Sequence, residues 1–185
     1  MRESAILPVF KYHPDPIATG SIEVRNITCV CCGEQSPYVY VASAYSIMDL
    51  AEVLCPWCIS DGLAHHKFAV EFTDLAAIGD EVDGSPALRS IQEEIAYRTP
   101  GFSSWQQERW LMHCGDGCAF LGPAGKQQVE AIASPELIDS LCAETELDDD
   151  EFDAYLDTLD RDCGPTAYIF RCLHCGQYLG YSDCL

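Results

Sequence analysis

The chain has 185 residues, with 10 Lys and Arg against 30 Asp and Glu, and its formal net charge is −20 at pH 7. Hydrophobic residues make up 48% of it, so it can form a core and is not a disordered acidic chain. Because nucleic-acid affinity depends on clustered Lys and Arg, this charge argues against direct binding to DNA or RNA. The twelve cysteines need a separate explanation.

The beginning of the chain carries no targeting signal that we recognise. The apolar stretch at residues 5–10 is short and contains Pro8, whereas a secretory signal has a longer apolar run and a small-residue cleavage site. No window approaches the about 18 apolar residues of a membrane helix. We therefore expect a cytoplasmic protein without membrane contact, in which the cysteines stay reduced.

Eight of the twelve cysteines form four short pairs with the spacing of structural zinc sites. Two of the pairs run on into Gly33 and Gly176, as in a zinc knuckle, where backbone N–H groups face the thiolates and glycine accepts a positive φ. Four thiolates suit a tetrahedral zinc ion, so we expect two zinc ions. The predicted ligands are Cys29, Cys32, Cys55, Cys58, Cys114, Cys118, Cys172 and Cys175.

The first two pairs define an N-terminal unit. They are separated by 22 residues, close to the gap in many four-cysteine zinc sites. Between them, residues 38–41 alternate aromatic and β-branched side chains, which predicts a strand. A helix is expected at residues 59–68. We therefore predict a zinc-ribbon-like unit over residues 1–76.

The middle of the chain is predicted to be helical. Ser85 and Pro86 have the residue types of a helix cap and a first helical position. Residues 104–107 have the form of a capping box and predict a helix running to residue 113. Trp110 and Cys114 would share a face of that helix, so Trp110 either shields the second metal site or is an ordinary core residue.

An acidic stretch follows at residues 134–162, with twelve acids, one base and a net charge of −11. Its apolar residues follow helical spacing, which predicts two amphipathic helices with acidic outer faces. Such a run is usually a solvated face. The alternative is a surface that docks a basic protein partner.

The last two cysteine pairs are predicted to form the second zinc site, in a helical region over residues 77–185 that a knuckle-bearing hairpin closes. Cys31, His113 and His174 each lie beside a predicted ligand and remain open as replacements for one. The other three cysteines are expected to be buried: Cys142, Cys163 and Cys184. The expected fold is α+β, with both parts packed as one compact protein.

Long motifs occur along nearly the whole chain: F-K-Y-H-P-D-P from Phe10, C-V-C-C-G from Cys29, C-P-W-C-I-S-D-G from Cys55, R-T-P-G-F from Arg98, W-Q-Q-E-R-W-L from Trp105, H-C-G-D-G-C-A-F from His113 and C-L-H-C-G from Cys172. Together they resemble the bacterial CbrC-like proteins. That family is largely uncharacterised, and its namesake is associated with tolerance to a nuclease colicin. The resemblance implies a role in stress or colicin tolerance and supplies no catalytic residues.

These features predict a zinc-binding, non-catalytic protein that acts through protein contacts, with acidic helices able to mimic nucleic acid around residues 148–151. One alternative is a thiol–disulfide oxidoreductase using Cys55 and Cys58, although this chemistry leaves the other three pairs unexplained. A catalytic zinc assisted by Glu108 and His113 is another alternative, but four thiolates leave no open coordination position. The oligomeric state is left open.

Overall fold

The computed structural model describes residues 6–79, 85–143, 145, 147 and 149–184. The chain divides into two compact units, Met1–Ser103 with Glu108–Trp110, and Ser104–Gln107 with Leu111–Leu185. The predicted α+β class is confirmed, since each unit combines short helices with small antiparallel sheets. The predicted domain boundary at residue 76 stays a prediction. No helix in the described ranges is long and apolar enough to cross a membrane.

The first unit is built on a two-stranded antiparallel sheet of β1 (Ile22–Thr28) and β2 (Gln35–Tyr40). Helices α1 (Pro56–Ser60), α2 (Leu63–Phe68) and α3 (Pro86–Arg98) follow, with a 3-10 turn at Leu75–Ala77. The helix predicted at residues 59–68 is therefore split. The break lies at Gly62, whose φ of +76° is outside the helical region.

The core of the first unit packs behind the sheet and the first two helices. Leu54, Ile59 and Val70 are completely buried, and the ring of Tyr40 meets that of Phe72 edge-on at 5.2 Å. Aliphatic burial of this kind is worth about 1.5–3 kcal/mol per side chain. The buried cysteines of the β1–β2 turn and of the start of α1 pack against this core.

Helix α3 begins as its sequence predicts. The Ser85 hydroxyl accepts a hydrogen bond from the backbone N–H of Leu88 at 3.3 Å, and Pro86 occupies the first helical position. Proline costs nothing there because the N–H it lacks would have no partner within the helix.

The second unit contains a three-stranded antiparallel sheet, in the order β5 (Ala119–Ala124), β6 (Thr166–Arg171), β7 (Tyr178–Asp183). The predicted closing hairpin is the β6–β7 pair. A smaller hairpin precedes it, formed by β3 (Met112–His113) and β4 (Asp116–Gly117).

The described residues of the second unit also form three helices: α4 (Lys126–Ala131), α5 (Pro135–Cys142) and α6 (Asp149–Leu156). Both predicted amphipathic helices are therefore present, and their apolar faces join a core with the sheet. Leu137, Leu141 and Phe152 are at most 3% exposed. Asp148, the first residue of the predicted acidic mimic at 148–151, lies outside the described residues.

The helix predicted over residues 104–113 is wrong. The Trp105 backbone N–H donates to the Tyr168 hydroxyl at 3.2 Å, and its indole N–H donates to the Thr166 hydroxyl at 2.9 Å. The Ser104 hydroxyl donates to the carbonyl of Gln106 instead of capping a helix. Bonds to the sheet therefore replace the local bonds that a capping box offers.

Trp110 belongs to the first unit, where it is a core residue. Its backbone bonds the carbonyl of Ala77 and the N–H of Gly79, and its ring packs near those of His13 and Phe102. The helix face that Trp110 and Cys114 would have shared does not exist. The second interpretation of this tryptophan is therefore the one that the structure supports.

Candidate metal centres

Four cysteines of the first unit form a compact group of sulfurs. The Sγ atoms of Cys29, Cys32, Cys55 and Cys58 all lie within 4.8 Å of one another. Three of these separations are 3.8 Å for 29–58, 4.0 Å for 32–55 and 3.5 Å for 55–58. Four sulfurs at about 2.3 Å from a zinc ion would lie about 3.8 Å apart in a tetrahedron. The donor set therefore fits zinc.

Local structure explains how these sulfurs meet. Cys29 begins the turn that joins β1 to β2, and the N–H of Gly33, at a φ of +75°, donates to the Cys29 carbonyl at 2.8 Å. Cys55 occupies the N-cap of α1, ahead of Pro56. The backbone N–H of Cys55 donates to the Cys29 sulfur at 3.3 Å. The Cys29 sulfur also receives a hydrogen bond from the Cys32 backbone N–H, which is the knuckle geometry that the C-V-C-C-G motif predicts.

The electrostatics of this centre favour a cation among the sulfurs. Hydrogen bonds from the Cys55 and Cys58 thiols hold the pKa of Cys29 well below its ordinary value. The bonds to Cys29 in turn raise the pKa of Cys58, and raise that of Cys55 to about 12. One thiolate thus opposes ionisation of its neighbours, and a divalent metal ion held by the group would allow all four to ionise together.

Cys31 lies next to this group without joining it. Its side chain is buried, and burial raises the pKa of the thiol. The Lys67 ammonium donates to the backbone carbonyl of Cys31 at 2.8 Å, which ties α2 to the knuckle. The structure therefore does not substitute Cys31 for a predicted ligand.

The second group contains a histidine. His113 and the cysteines Cys114, Cys172 and Cys175 bring one ligand atom each within 4.8 Å of the others. His113 Nδ1 lies 3.3 Å from the Cys114 sulfur and 3.5 Å from that of Cys175. Three thiolates and an imidazole are a common donor set of structural zinc sites.

The structure brings seven of the eight predicted ligands into the two groups and leaves out Cys118, with His113 in its place. Burial, helped by the nearby Cys172 and Cys175, raises the pKa of the Cys118 thiol to about 12. The predicted eight-cysteine ligand set thus differs from the observed grouping at one position, where His113 was an open alternative.

A tight turn explains the histidine. Cys114 and Gly115 have φ values of +53° and +74° and join His113 to Asp116, which face each other across the β3–β4 hairpin. Two successive positive φ values are the signature of a type I′ turn. In the sequence, the residues C-G-D-G from Cys114 indicate this turn. The prediction of a helix up to residue 113 left the turn unrecognised.

The second knuckle stabilises its own thiolate. The backbone N–H groups of His174 and Cys175 point at the Cys172 sulfur at 3.4 and 3.5 Å. Burial opposes ionisation of Cys172, but these bonds and the neighbouring His113 lower its pKa to about 6. His174 itself is not in the ligand group, and its Nε2 lies 3.1 Å from a carboxylate oxygen of Asp116.

The two centres differ in exposure. Cys29, Cys55 and Cys58 are buried, whereas Cys114 and Cys175 are exposed. The expectation that the three remaining cysteines are buried is wrong, because Cys163 and Cys184 are exposed and Cys142 is half-buried. None of the twelve cysteines is in a disulfide. Cys163 is exposed because it lies in a surface turn, where its backbone N–H donates to the Asp160 carboxylate.

Comparison with known proteins shows the family. The profile of an "Uncharacterised protein family (UPF0167)" matches residues 7–184. The UPF0167 proteins Mb2317 of Mycobacterium bovis and MT2352 of Mycobacterium tuberculosis are each 45% identical over 181 residues, covering 96% of this chain and 93% of theirs. UPF0167 protein PA1536 of Pseudomonas aeruginosa is 41% identical over 172 residues, covering 92% of this chain and 93% of its own. No solved structure matches. The chain therefore belongs to the UPF0167 family, whose members here are named only as UPF0167 proteins.

Proposed function

We propose that this protein holds one structural zinc ion at each of the two groups and acts through contacts with a protein partner, without catalysing a reaction. The observation that carries the proposal is the group of four sulfurs at Cys29, Cys32, Cys55 and Cys58, with separations close to those of a tetrathiolate. Soft thiolate donors in a tetrahedron favour zinc among the common ions.

Zinc would contribute folding energy in both units. Structural sites bind zinc with an apparent free energy of about 10–16 kcal/mol at neutral pH, which is as large as the whole stability of an ordinary domain. In the first unit the ion would tie the β1–β2 turn to the start of α1. In the second it would tie the β3–β4 turn to the turn between β6 and β7.

The acidic surface supplies the partner hypothesis. Residues 134–162 carry a net charge of −11, and a focused field of this kind accelerates encounter with a positively charged protein. The resemblance to the CbrC-like proteins suggests that the protein acts in colicin tolerance. A basic nuclease would be one partner whose charge is opposite to that of the acidic surface. None of the twelve cysteines is in a disulfide, which fits the reducing, cytoplasmic environment that we propose.

Metal analysis of the purified chain tests the proposal. Elemental analysis should find about two zinc ions per chain. Thiol titration of the native protein should detect the exposed Cys163 and Cys184 at once, and the cysteines of the two groups only after a chelator is added. An absence of metal, with the grouped thiols freely titratable in the folded protein, would overturn the proposal.

The oxidoreductase alternative has one observation in its favour, the position of Cys55 at the N-cap of α1, where an attacking thiolate often lies. Against it, Cys55 and Cys58 are 1% and 0% exposed, and exchange needs an accessible sulfur. A disulfide-exchange assay on Cys55→Ser separates the two. A redox enzyme would lose turnover, whereas a structural site loses zinc and the fold of the first unit.

The catalytic-zinc alternative finds no support in the geometry. The Glu108 carboxylate accepts hydrogen bonds from the Tyr45 hydroxyl at 2.5 Å and the Asp74 backbone N–H at 3.2 Å. It therefore organises loops of the first unit. His113 is already one of four grouped donors, and such a set leaves no coordination position for a reacting water.

A further inference from the structure

Helices α4, α5 and α6 of the second unit border an open groove of about 380 Å³. Side chains from α4, α5 and α6 line it, and its apolar lining includes Val129, Ile138 and Leu156. Two exposed small residues, Ala133 and Ala154, also line it and leave room for an incoming group. A volume of this size holds two or three side chains of a bound peptide.

The charged part of the lining is negative. Glu130, Asp153 and Asp157 contribute three carboxylates and Lys126 one ammonium, so the groove carries a net charge of −2. All three carboxylates are on exposed residues. An apolar lining beside carboxylates is complementary to a ligand that has both aliphatic and cationic groups.

The chain itself shows that this groove accommodates an ammonium group. The Nζ atom of Lys126 lies 2.6 Å from a carboxylate oxygen of Asp157 and 3.7 Å from one of Glu130. The hydrogen bond to Asp157 raises the pKa of this lysine. Asp153, on the same helix as the solvent-facing Ala154, is placed to pair with a second cation.

We propose that this groove binds a cationic amphipathic segment of a partner protein, with a Lys or Arg against Asp153, next to the Asp157 carboxylate that already pairs with Lys126, and aliphatic side chains against Val129, Ile138 and Leu156. This inference rests on the proposed function, because it gives the partner's docking place on the acidic surface. An amphipathic helix laid in an apolar groove is a common mode of peptide recognition. A second copy of this chain is disfavoured as the occupant, because two chains of net charge −20 repel each other.

A designed peptide probes the groove without knowledge of the natural partner. The zinc-loaded full chain is titrated against a fluorescent Lys/Leu peptide of about 14 residues at helical spacing, and fluorescence anisotropy reports binding. A Glu/Leu peptide of the same pattern is the control for charge. We expect the Lys/Leu peptide to bind, the Glu/Leu peptide not to bind, and affinity to fall with added salt.

Variants locate the binding. Asp153→Asn with Asp157→Asn should weaken the Lys/Leu peptide by about 3- to 10-fold, and Ala154→Trp, which fills the groove, by at least about tenfold. The matched control, Glu136→Gln with Asp139→Asn, removes the same charge from exposed positions of α5 outside the groove. It should change affinity by less than about twofold.

Equal weakening by the control pair would mean that the peptide senses only bulk charge, and would overturn the inference, as would undiminished binding to Ala154→Trp. Thermal unfolding and zinc content are measured on every sample, so that a variant that fails to fold is recognised. Peptide binding at the groove by a chain that carries no zinc would refute the proposed metal role alone. A zinc-loaded chain that does not bind the peptide would refute the groove alone.

Discussion

If each group holds a zinc ion, as we propose, a chelator should remove the two ions at very different rates, because the two centres differ in exposure. In the first centre Cys32 is half-buried but Cys29, Cys55 and Cys58 are at most 1% exposed, so a chelator reaches three of the four sulfurs only after the first unit opens. In the second centre Cys114 and Cys175 are exposed, and a chelator can replace them in the folded protein. We therefore expect about one ion per chain in a fast phase and about one in a slow phase.

The difference in rate follows from the free energy of opening. If the first unit opens with a cost of about 5 kcal/mol, the low end for natural domains, about one molecule in 5,000 is open at any time. Release from the buried centre would then be about 10³-fold slower than release from the exposed one. Bound zinc itself adds to the cost of opening, so this ratio is a lower bound.

A colorimetric zinc dye in excess follows both phases in one experiment. Cys175→Ser should abolish the fast phase and keep the slow one. Cys163→Ser, which changes an exposed cysteine outside both groups, should keep both phases. Release of both ions in one phase, or loss of the slow phase in Cys175→Ser, would refute the assignment of the fast ion to the exposed centre.

Three further predictions concern the ligands and the stability of the fold. His113→Ala should lower the zinc content from about two ions per chain to about one, and Cys118→Ala should leave it at about two; the reverse result would restore the four-cysteine set. Gly101→Ala should lower the free energy of unfolding by about 3 kcal/mol or more, because an added Cβ would lie 1.7 Å from the Phe72 carbonyl oxygen. Denaturant unfolding measures this change as a lower midpoint at an unchanged dependence of the unfolding free energy on denaturant. Burial lowers the pKa of His13 from 6.5 to about 4. As the pH falls, His13 therefore binds a proton in the unfolded chain before it does so in the folded one. Stability contributed by neutral His13 is complete above pH 6.5 and falls by up to about 3 kcal/mol as the pH drops to about 4. His13→Gln should flatten the pH dependence of the unfolding free energy in this window, and an unchanged slope would contradict the reasoning.

The first centre could be predicted from sequence because its geometry is local. Each cysteine pair is held by its own turn or helix start, and Gly33 and Pro56 mark those structures in the sequence. The start of α3 at Ser85 and Pro86 was predictable for the same reason, since a cap and a first-turn proline act within four residues.

The second centre could be predicted only in part. The knuckle at Cys172 and Cys175 is local, but its partners depend on how residues 104–117 fold. Those residues contain a capping-box pattern that favours a helix, and the bonds of Trp105 to Tyr168 and Thr166 override it. Such bonds join residues about sixty positions apart, and no local pattern reveals them.

The sequence by itself determined that this is an acidic, cysteine-rich α+β chain with thiols paired at metal-binding spacing, because charge, composition and ligand spacing are properties of the chain. The tertiary structure alone decided that His113 joins the second group while Cys118 is buried beside it. It also decided that three helices leave a groove with an acidic lining. The physical reason is that a ligand set and a groove depend on which segments meet in space. That meeting is set by burial of apolar side chains drawn from distant parts of the chain.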